Sequence, residues 1–333
     1  MAISVPMSAA IELTFVNLAA FNKAAGDAFR LEVLRVLAQD AYGVMELSQI
    51  FDYRQSGMSH HLKVLAEAGL VIKRREGNSI FYSRALPTAD SRLSVLQQQL
   101  YTMVDGIALS DAVAVRVAVI KQERAAHSQA FFEQHAEQFK EQQDLIAKYP
   151  TYGDAVSSLL ARVLAKDAAP EPTLAVEVGP GEGEFLPTLA AYFEAVIALD
   201  NATTMLAHAQ AFCEQQQLSN ITFECADTGF FQTEGVSANI DCIVMNMVLH
   251  HTPSPADIFK DSARGLKEKG VLIVTELCRH DQDWAKAACG DLWLGFDPGE
   301  LQQWASAAGL EHGHSHYFAL RNGFQIQLQQ FYK

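Results

Sequence analysis

Residues 176–185 read VEVGPGEGEF, an apolar run that breaks into a loop with glycine at 179, 181 and 183. The run closes a strand candidate, Leu174–Val178, and helical sequence follows the loop. Glycines placed this way let a chain turn sharply out of a strand, and they let a ligand approach the backbone with no side chain in the way. Outward from this point the strand candidates are Ala195–Asp200, Ile221–Cys225, Ile240–Met245 and Val271–Glu276. Helical segments separate them, as a parallel sheet requires. The segment GLKEKG (265–270) is expected to be helix and then turn before the fifth strand. HSHYFALR (314–321) and FQIQLQQFYK (324–333) flank Asn322-Gly323, so the sheet is expected to finish in an antiparallel hairpin.

The first part of the chain is patterned differently. In GDAFRLEVLRVLAQ (26–39), Phe29, Leu31, Leu34 and Leu37 give an apolar helical face, with Asp27 as its N-cap. A short helix over Val44–Phe51, a turn through Asp52–Gln55 and a helix over Ser56–Ala68, closed by Gly69, come next. LVIKRREG and NSIFYSR then read as two strands around Glu76-Gly77-Asn78. This order is that of a winged helix-turn-helix. It sets Gln55, Ser56, Met58, Ser59 and His60 at the exposed start of a recognition helix, with Lys63 further along it. Arg74, Arg75 and Asn78 complete the candidate DNA contacts on the wing, whereas Leu62, Val64 and Leu65 are assigned to core.

The fold class expected is therefore multidomain. Residues 1–105 form an α+β winged helix-turn-helix for DNA binding, 106–168 a helical connector, and 169–333 an α/β Rossmann-like domain. The 333 residues are 49% hydrophobic and 19% charged, the composition of a folded chain. No apolar run approaches the roughly 20 residues of a membrane helix. The first residues have no basic segment, so a cytoplasmic protein is expected. Residues 1–90 hold nine basic and nine acidic residues, so the net charge of −14 resides in the remainder. Lys73, Arg74 and Arg75 form the densest basic cluster for a polyanion. The five cysteines make no CxxC pair and read as reduced, mostly buried thiols.

Three blocks in order, GDAFRLEVLRVL, SGMSHHLKVLAEAGLV and KRREGNSIFY, resemble the ArsR-type arsenic- and zinc-responsive repressors over about residues 20–90. The resemblance implies a homodimer joined through the first helix and the helix after the wing, here Ile11–Phe21 and Arg92–Met103. Metal-sensing relatives carry cysteines on the helix before the recognition helix. The corresponding MELSQIFDY (45–53) has none, so metal is not sensed there. No metal site is expected elsewhere: His60 and His61 point about 100° apart on a helix, and His312, His314 and His316 share one face of a solvated strand.

A glycine loop alone would suit a dinucleotide equally well. With ECAD (224–227), DCIVMNMVLHH (241–251) and LWLGFDPGELQQWASAAGL (292–310), however, residues from about Thr173 to Lys333 resemble class I S-adenosylmethionine-dependent methyltransferases. FFEQHAEQF (131–139) is similar to the lid-side helix of the ubiquinone-methylase-like branch. By that resemblance Glu177 holds the amino-acid end of the cofactor through water or backbone contacts, and Gly179 and Gly181 pass beneath it, with Gly183 completing the loop. Asp200, with Asn201 beside it, binds the ribose, Met205 packs on the adenine, Ala226 and Asp227 read its amino edge, and Asn246 lines the mouth. Met205 is also explained as helix core, and His250 and His251 either supply a base or pack beneath the loop.

The function expected is an ArsR-type regulator whose methyltransferase-like domain binds S-adenosylmethionine or S-adenosylhomocysteine and alters affinity for double-stranded operator DNA. The alternative is an active small-molecule methyltransferase with an autoregulatory DNA-binding domain. Turnover is left open, because methyl transfer can proceed largely through positioning and no catalytic base is assigned.

Overall fold

A computed structural model describes residues 13–87, 92–165 and 173–333 of the chain. It contains two compact units, Met1–Gln122 and Glu123–Lys333. The stretch 106–168, expected as a separate connector, is divided between them.

In the first unit, α1 (Phe15–Ala25) and α2 (Ala28–Val36) precede a two-residue strand β1 (Tyr42–Gly43), α3 (Val44–Phe51) and α4 (Gln55–Glu67). The expected first helix thus begins at Phe15, and Ile11 lies outside the described residues. Local chemistry fixes each boundary. The Asp27 carboxylate accepts from the Arg30 amide at 2.9 Å and caps α2, as its sequence position indicates. Arg30 in turn donates to the carbonyls of Ala24 and Lys23, closing α1. Asp52 adopts the left-handed conformation (φ 49°) that ends α3 and starts the turn into α4.

Strands β2 (Val71–Glu76) and β3 (Ser79–Arg84) form the wing, and β1 pairs with β3, giving the order β1-β3-β2. Leu34, Leu47, Ile50, Leu62, Leu65 and Leu70 fill the core. Helix α5 (Arg92–Asp105) is held to it by the Tyr101 hydroxyl, which donates to the Leu70 carbonyl at 2.6 Å, and by a bidentate pair between Arg84 and Asp105. Burial pushes the Tyr101 phenol up to about 12, so this donor keeps its proton at any physiological pH. The next helix, α6 (Asp111–Ile146), is continuous over 36 residues.

The second unit begins within α6 and adds α7 (Gly153–Leu164). Strands β4 (Leu174–Val178), β5 (Ala195–Asp200), β6 (Ile221–Cys225), β7 (Ile240–Asn246) and β8 (Leu266–Leu277) are parallel, and β9 (Glu311–Ala319) and β10 (Gln325–Tyr332) form the terminal hairpin. Helices α8 (Leu186–Tyr192), α9 (Thr203–Gln215), α10 (Pro255–Gly265), α11 (Trp284–Cys289) and α12 (Pro298–Ala307) connect them. The sheet order is β6-β5-β4-β7-β8-β10-β9, with β10 antiparallel to both neighbours.

The strands leave β4 in opposite directions, which makes a topological switch between β4 and β7; ligands of open α/β sheets bind outside the carboxyl ends of the strands at such a point. One expected element differs. Residues 266–270 belong to β8 rather than to a helix and turn, because α10 stops at Gly265. A methyl group there would lie 3.0 Å from both Ile240 and Phe231, and Leu266 is already paired with Ile240.

Candidate functional site

Four of the parallel strands, β4, β5, β6 and β7, end in register at the same sheet edge. Val178 pairs with Leu199 and with Met245, and Asp200 pairs with Cys225. Gly179, Asp200, Ala226 and Asn246 therefore arrive at one end of the sheet. All three loop glycines have positive φ: 63° at Gly179, 55° at Gly181 and 81° at Gly183. They are required for different reasons. A methyl at Gly179 would strike Val248 at 2.7 Å, and one at Gly183 would press on the Ala209 backbone at 3.3 Å. Around Gly181 nothing lies within 4 Å, so that glycine faces open space.

Below the loop, Glu177 is fully buried. Its Oε1 accepts from Asn246 Nδ2 at 3.3 Å, and its Oε2 has no hydrogen-bond partner. Desolvation pushes its pKa up to about 8, against the smaller opposing effect of Asn246. Asn246 is itself oriented by the Thr275 hydroxyl, which donates to its Oδ1 at 2.9 Å. A buried carboxylate lacking a partner is costly unless a donor or cation completes it.

Asp200 ends β5. Its Oδ1 accepts from the Ala202 amide at 2.8 Å. Burial raises its pKa to about 6, opposed by the amides of Ala202 and Asn201. Asn201 is exposed, and its carbonyl accepts from Gln129 at 2.9 Å. Asp227 is exposed and caps the following turn through the Gly229 amide at 2.9 Å, while Ala226 beside it is half-buried.

Met205 is buried in a small core with Ala136, Phe139 and Ala202, the packing that its helix-core alternative expects. Residues that the sequence reading missed come from α6. Glu133 accepts from the Thr203 amide at 2.8 Å, and Lys140 pairs with Glu184 of the glycine loop at 3.3 Å. Glu133 falls within the FFEQHAEQF stretch that carries the resemblance, whereas Lys140 lies just beyond it.

In the first unit, Gln55, Ser56, Ser59, His60 and Lys63 are exposed on α4, and Arg75 and Asn78 are exposed on the wing. Two expected DNA contacts are overturned. Met58 is 0% exposed, because Met58, Leu62 and Leu65 form the inward stripe of α4. Arg74 is 2% exposed and paired with the equally buried Glu76. Strand alternation is the reason: Lys73 and Arg75 point out, and Arg74 and Glu76 point in. Arg54, exposed at the N-cap of α4, is a cation that the sequence reading passed over.

Comparison with known proteins agrees with both halves. Residues 27–73 match the family described as bacterial regulatory protein, arsR family, and residues 176–274 match the methyltransferase domain family. An HTH-type transcriptional regulator of Mycobacterium tuberculosis is 36% identical over 98 residues, covering 29% of this chain and 82% of the relative. The ubiquinone biosynthesis O-methyltransferase of Coxiella burnetii is 27% identical over 167 residues, covering 45% of this chain and 70% of the relative. Among solved structures, the N-methyltransferase NodS of Bradyrhizobium japonicum, in complex with S-adenosyl-L-homocysteine, is 16% identical. That match covers 59% of this chain and 97% of that one, with a TM-score of 0.43.

Proposed function

Because the chain belongs to the ArsR family of bacterial regulators through its first unit and carries a methyltransferase domain in its second, we propose that it is a DNA-binding regulator tuned by S-adenosylmethionine or S-adenosylhomocysteine. The observation that carries the ligand assignment is the buried, unpartnered Oε2 of Glu177 beside a glycine loop that is open at Gly181. An amino-acid ammonium is a cation that would complete that carboxylate. Asp200 would accept from ribose hydroxyls, Asp227 and Ala226 would meet the adenine edge, and Gly179, Gly181 and Gly183 would form the floor, with Asn201 and Asn246 flanking.

Proton linkage tests this directly. Free Glu177, with a pKa near 8, is mostly protonated at pH 7. Pairing with an ammonium lowers that pKa, so binding at pH 7 releases protons, and affinity rises with pH until it levels off near 8. Titration calorimetry with S-adenosylhomocysteine in two buffers of different ionisation enthalpy measures the release. Glu177→Gln should abolish it. A wild-type protein that releases no proton would refute the assignment.

Operator binding would use the exposed face of α4 and the wing, from a homodimer. Exposed apolar side chains support the pairing surface: Phe15 and Val16 on α1, and Val95, Leu96 and Met103 on α5. Phe15→Glu with Met103→Glu is expected to give a monomer by light scattering and to weaken operator binding at least tenfold. A dimer retained in that variant removes these helices from the interface.

Helix α6 supplies the route between ligand and operator. Within the first unit, Arg116 donates to the Ile50 carbonyl at the end of α3 at 2.6 Å, and Lys121 pairs with Asp40 at 2.8 Å. Within the second, Gln129 and Glu133 hold Asn201 and Thr203. One helix thus supports the helix-turn-helix at one end and the ribose end of the cleft at the other.

A further inference from the structure

Beside the cleft residues, three ligating side chains from two loops converge in the second unit. His250 and His251 occupy a 3-10 turn at the exit of β7, and Asp291 follows α11. Asp291 Oδ1 lies 3.9 Å from His250 Nε2 and 3.6 Å from His251 Nδ1, and the three ligand atoms all fall within 4.8 Å of one another. All three residues are buried. These gaps are too long for hydrogen bonds. They suit donors that meet one ion at about 2 Å each.

The surroundings hold the ligands in place without help from an ion. Glu276 Oε1 is 2.5 Å from His250 Nδ1, and its Oε2 accepts the His250 amide at 3.1 Å. A proton on Nδ1 against Glu276 leaves the Nε2 lone pair turned toward Asp291. A carboxylate behind a histidine in this way is the usual support of a metal-ligating imidazole. The His250 carbonyl accepts from the amides of Leu292 and Trp293 at 2.9 and 3.1 Å, which ties the Asp291 loop to the histidine turn. The His251 carbonyl accepts from Ser128 Oγ at 2.8 Å, and its ring packs edge-on to Phe132. Gly290 permits the approach: it has φ 73°, and a methyl there would sit 2.4 Å from the Phe131 ring.

We infer that His250, His251 and Asp291 bind a first-row divalent transition-metal ion, with Glu276 orienting His250 from behind. Two imidazoles and one carboxylate, without a thiolate, suit zinc, iron(II) or cobalt(II) rather than the hard cations magnesium and calcium. Three protein ligands leave a coordination position for water or a bound molecule. The ion would clamp the turn after β7 to the loop after α11. None of these residues belongs to the proposed adenosyl-ligand set, so the site stands independently of that assignment.

The test uses the full-length protein purified from zinc-supplemented cells without chelator. Mass spectrometry of metals should find close to one zinc per chain. Chelator-stripped protein should lose thermal stability and regain it with zinc or cobalt(II) but not with magnesium, and cobalt(II) should give visible ligand-field absorption. His251→Gln and Asp291→Asn should cut metal affinity about tenfold or more. Since these positions are buried, the cobalt spectrum and stripping response of the wild-type protein decide the matter if a variant fails to fold. Wild-type protein with almost no metal and no thermal response to zinc or cobalt would overturn the proposal and leave the cluster as a proton-sharing network.

Discussion

Replacing Asp200 with alanine is expected to weaken S-adenosylhomocysteine binding about 100-fold or more. One carboxylate oxygen is engaged by the Ala202 amide, which fixes the group at the end of β5 and leaves the other for a vicinal diol. Charge-assisted hydrogen bonds of this kind contribute about 1.5–3 kcal/mol each, so losing two removes at least two orders of magnitude of affinity. With a pKa near 6, Asp200 is mostly ionised at neutral pH, and its contribution should fade as pH drops through 6. Asp200→Asn, which retains an acceptor for the amide cap, should fall between the two. Calorimetry on both variants, with circular dichroism to confirm folding, reads the effect. Unchanged affinity in the alanine variant would mean that the ribose lies elsewhere.

Placing proline at position 123 is expected to abolish communication while sparing both binding events. Glu123 is exposed within α6, between the contacts of Arg116 and Lys121 and those of Ser128, Gln129 and Glu133. Proline there removes one main-chain hydrogen bond and kinks the helix. Coupling between two sites commonly amounts to 5–150-fold, and it is reciprocal: ligand must change operator affinity by the same factor by which operator changes ligand affinity. In Glu123→Pro that factor should collapse to one, with each affinity measured alone within about threefold of wild type. Titrations of ligand with and without operator fragment give the number. A variant that keeps its coupling would show that α6 is not the route.

Much of this architecture is legible in the sequence because local rules and tertiary packing agree. Leu174–Val178, Ala195–Asp200 and Ile221–Cys225 are observed with the expected ends, each bounded by turn residues and flanked by helices. The Asp27 cap and the Asn322-Gly323 hairpin follow from side-chain chemistry at a single position. Charge and proximity alone set Arg74 and Met58 on the DNA face, but two-residue strand alternation and the inward stripe of α4 place both inside. The helical stretch 106–168 resisted division because its polar and apolar residues alternate without punctuation over much of α6. The group around His250 was out of reach for a different reason. Glu276 and Asp291 lie 26 and 41 positions from it, and only the folded sheet edge brings them together.

The inward turn of Arg74 has a consequence for how this net-acidic chain meets a polyanion. Its charge is neutralised internally by Glu76, so the wing offers duplex phosphates only Lys73 and Arg75. Each phosphate contact releases about 0.9 condensed counterion, and binding weakens with ionic strength in proportion to their number. With two wing cations per protomer beside Arg54 and Lys63 of α4, attraction at a distance is modest. In the homodimer proposed above, residence on the right site would come from base edges read by α4 and from two protomers acting together, so that a modest change in the pairing of half-sites would be enough to switch occupancy.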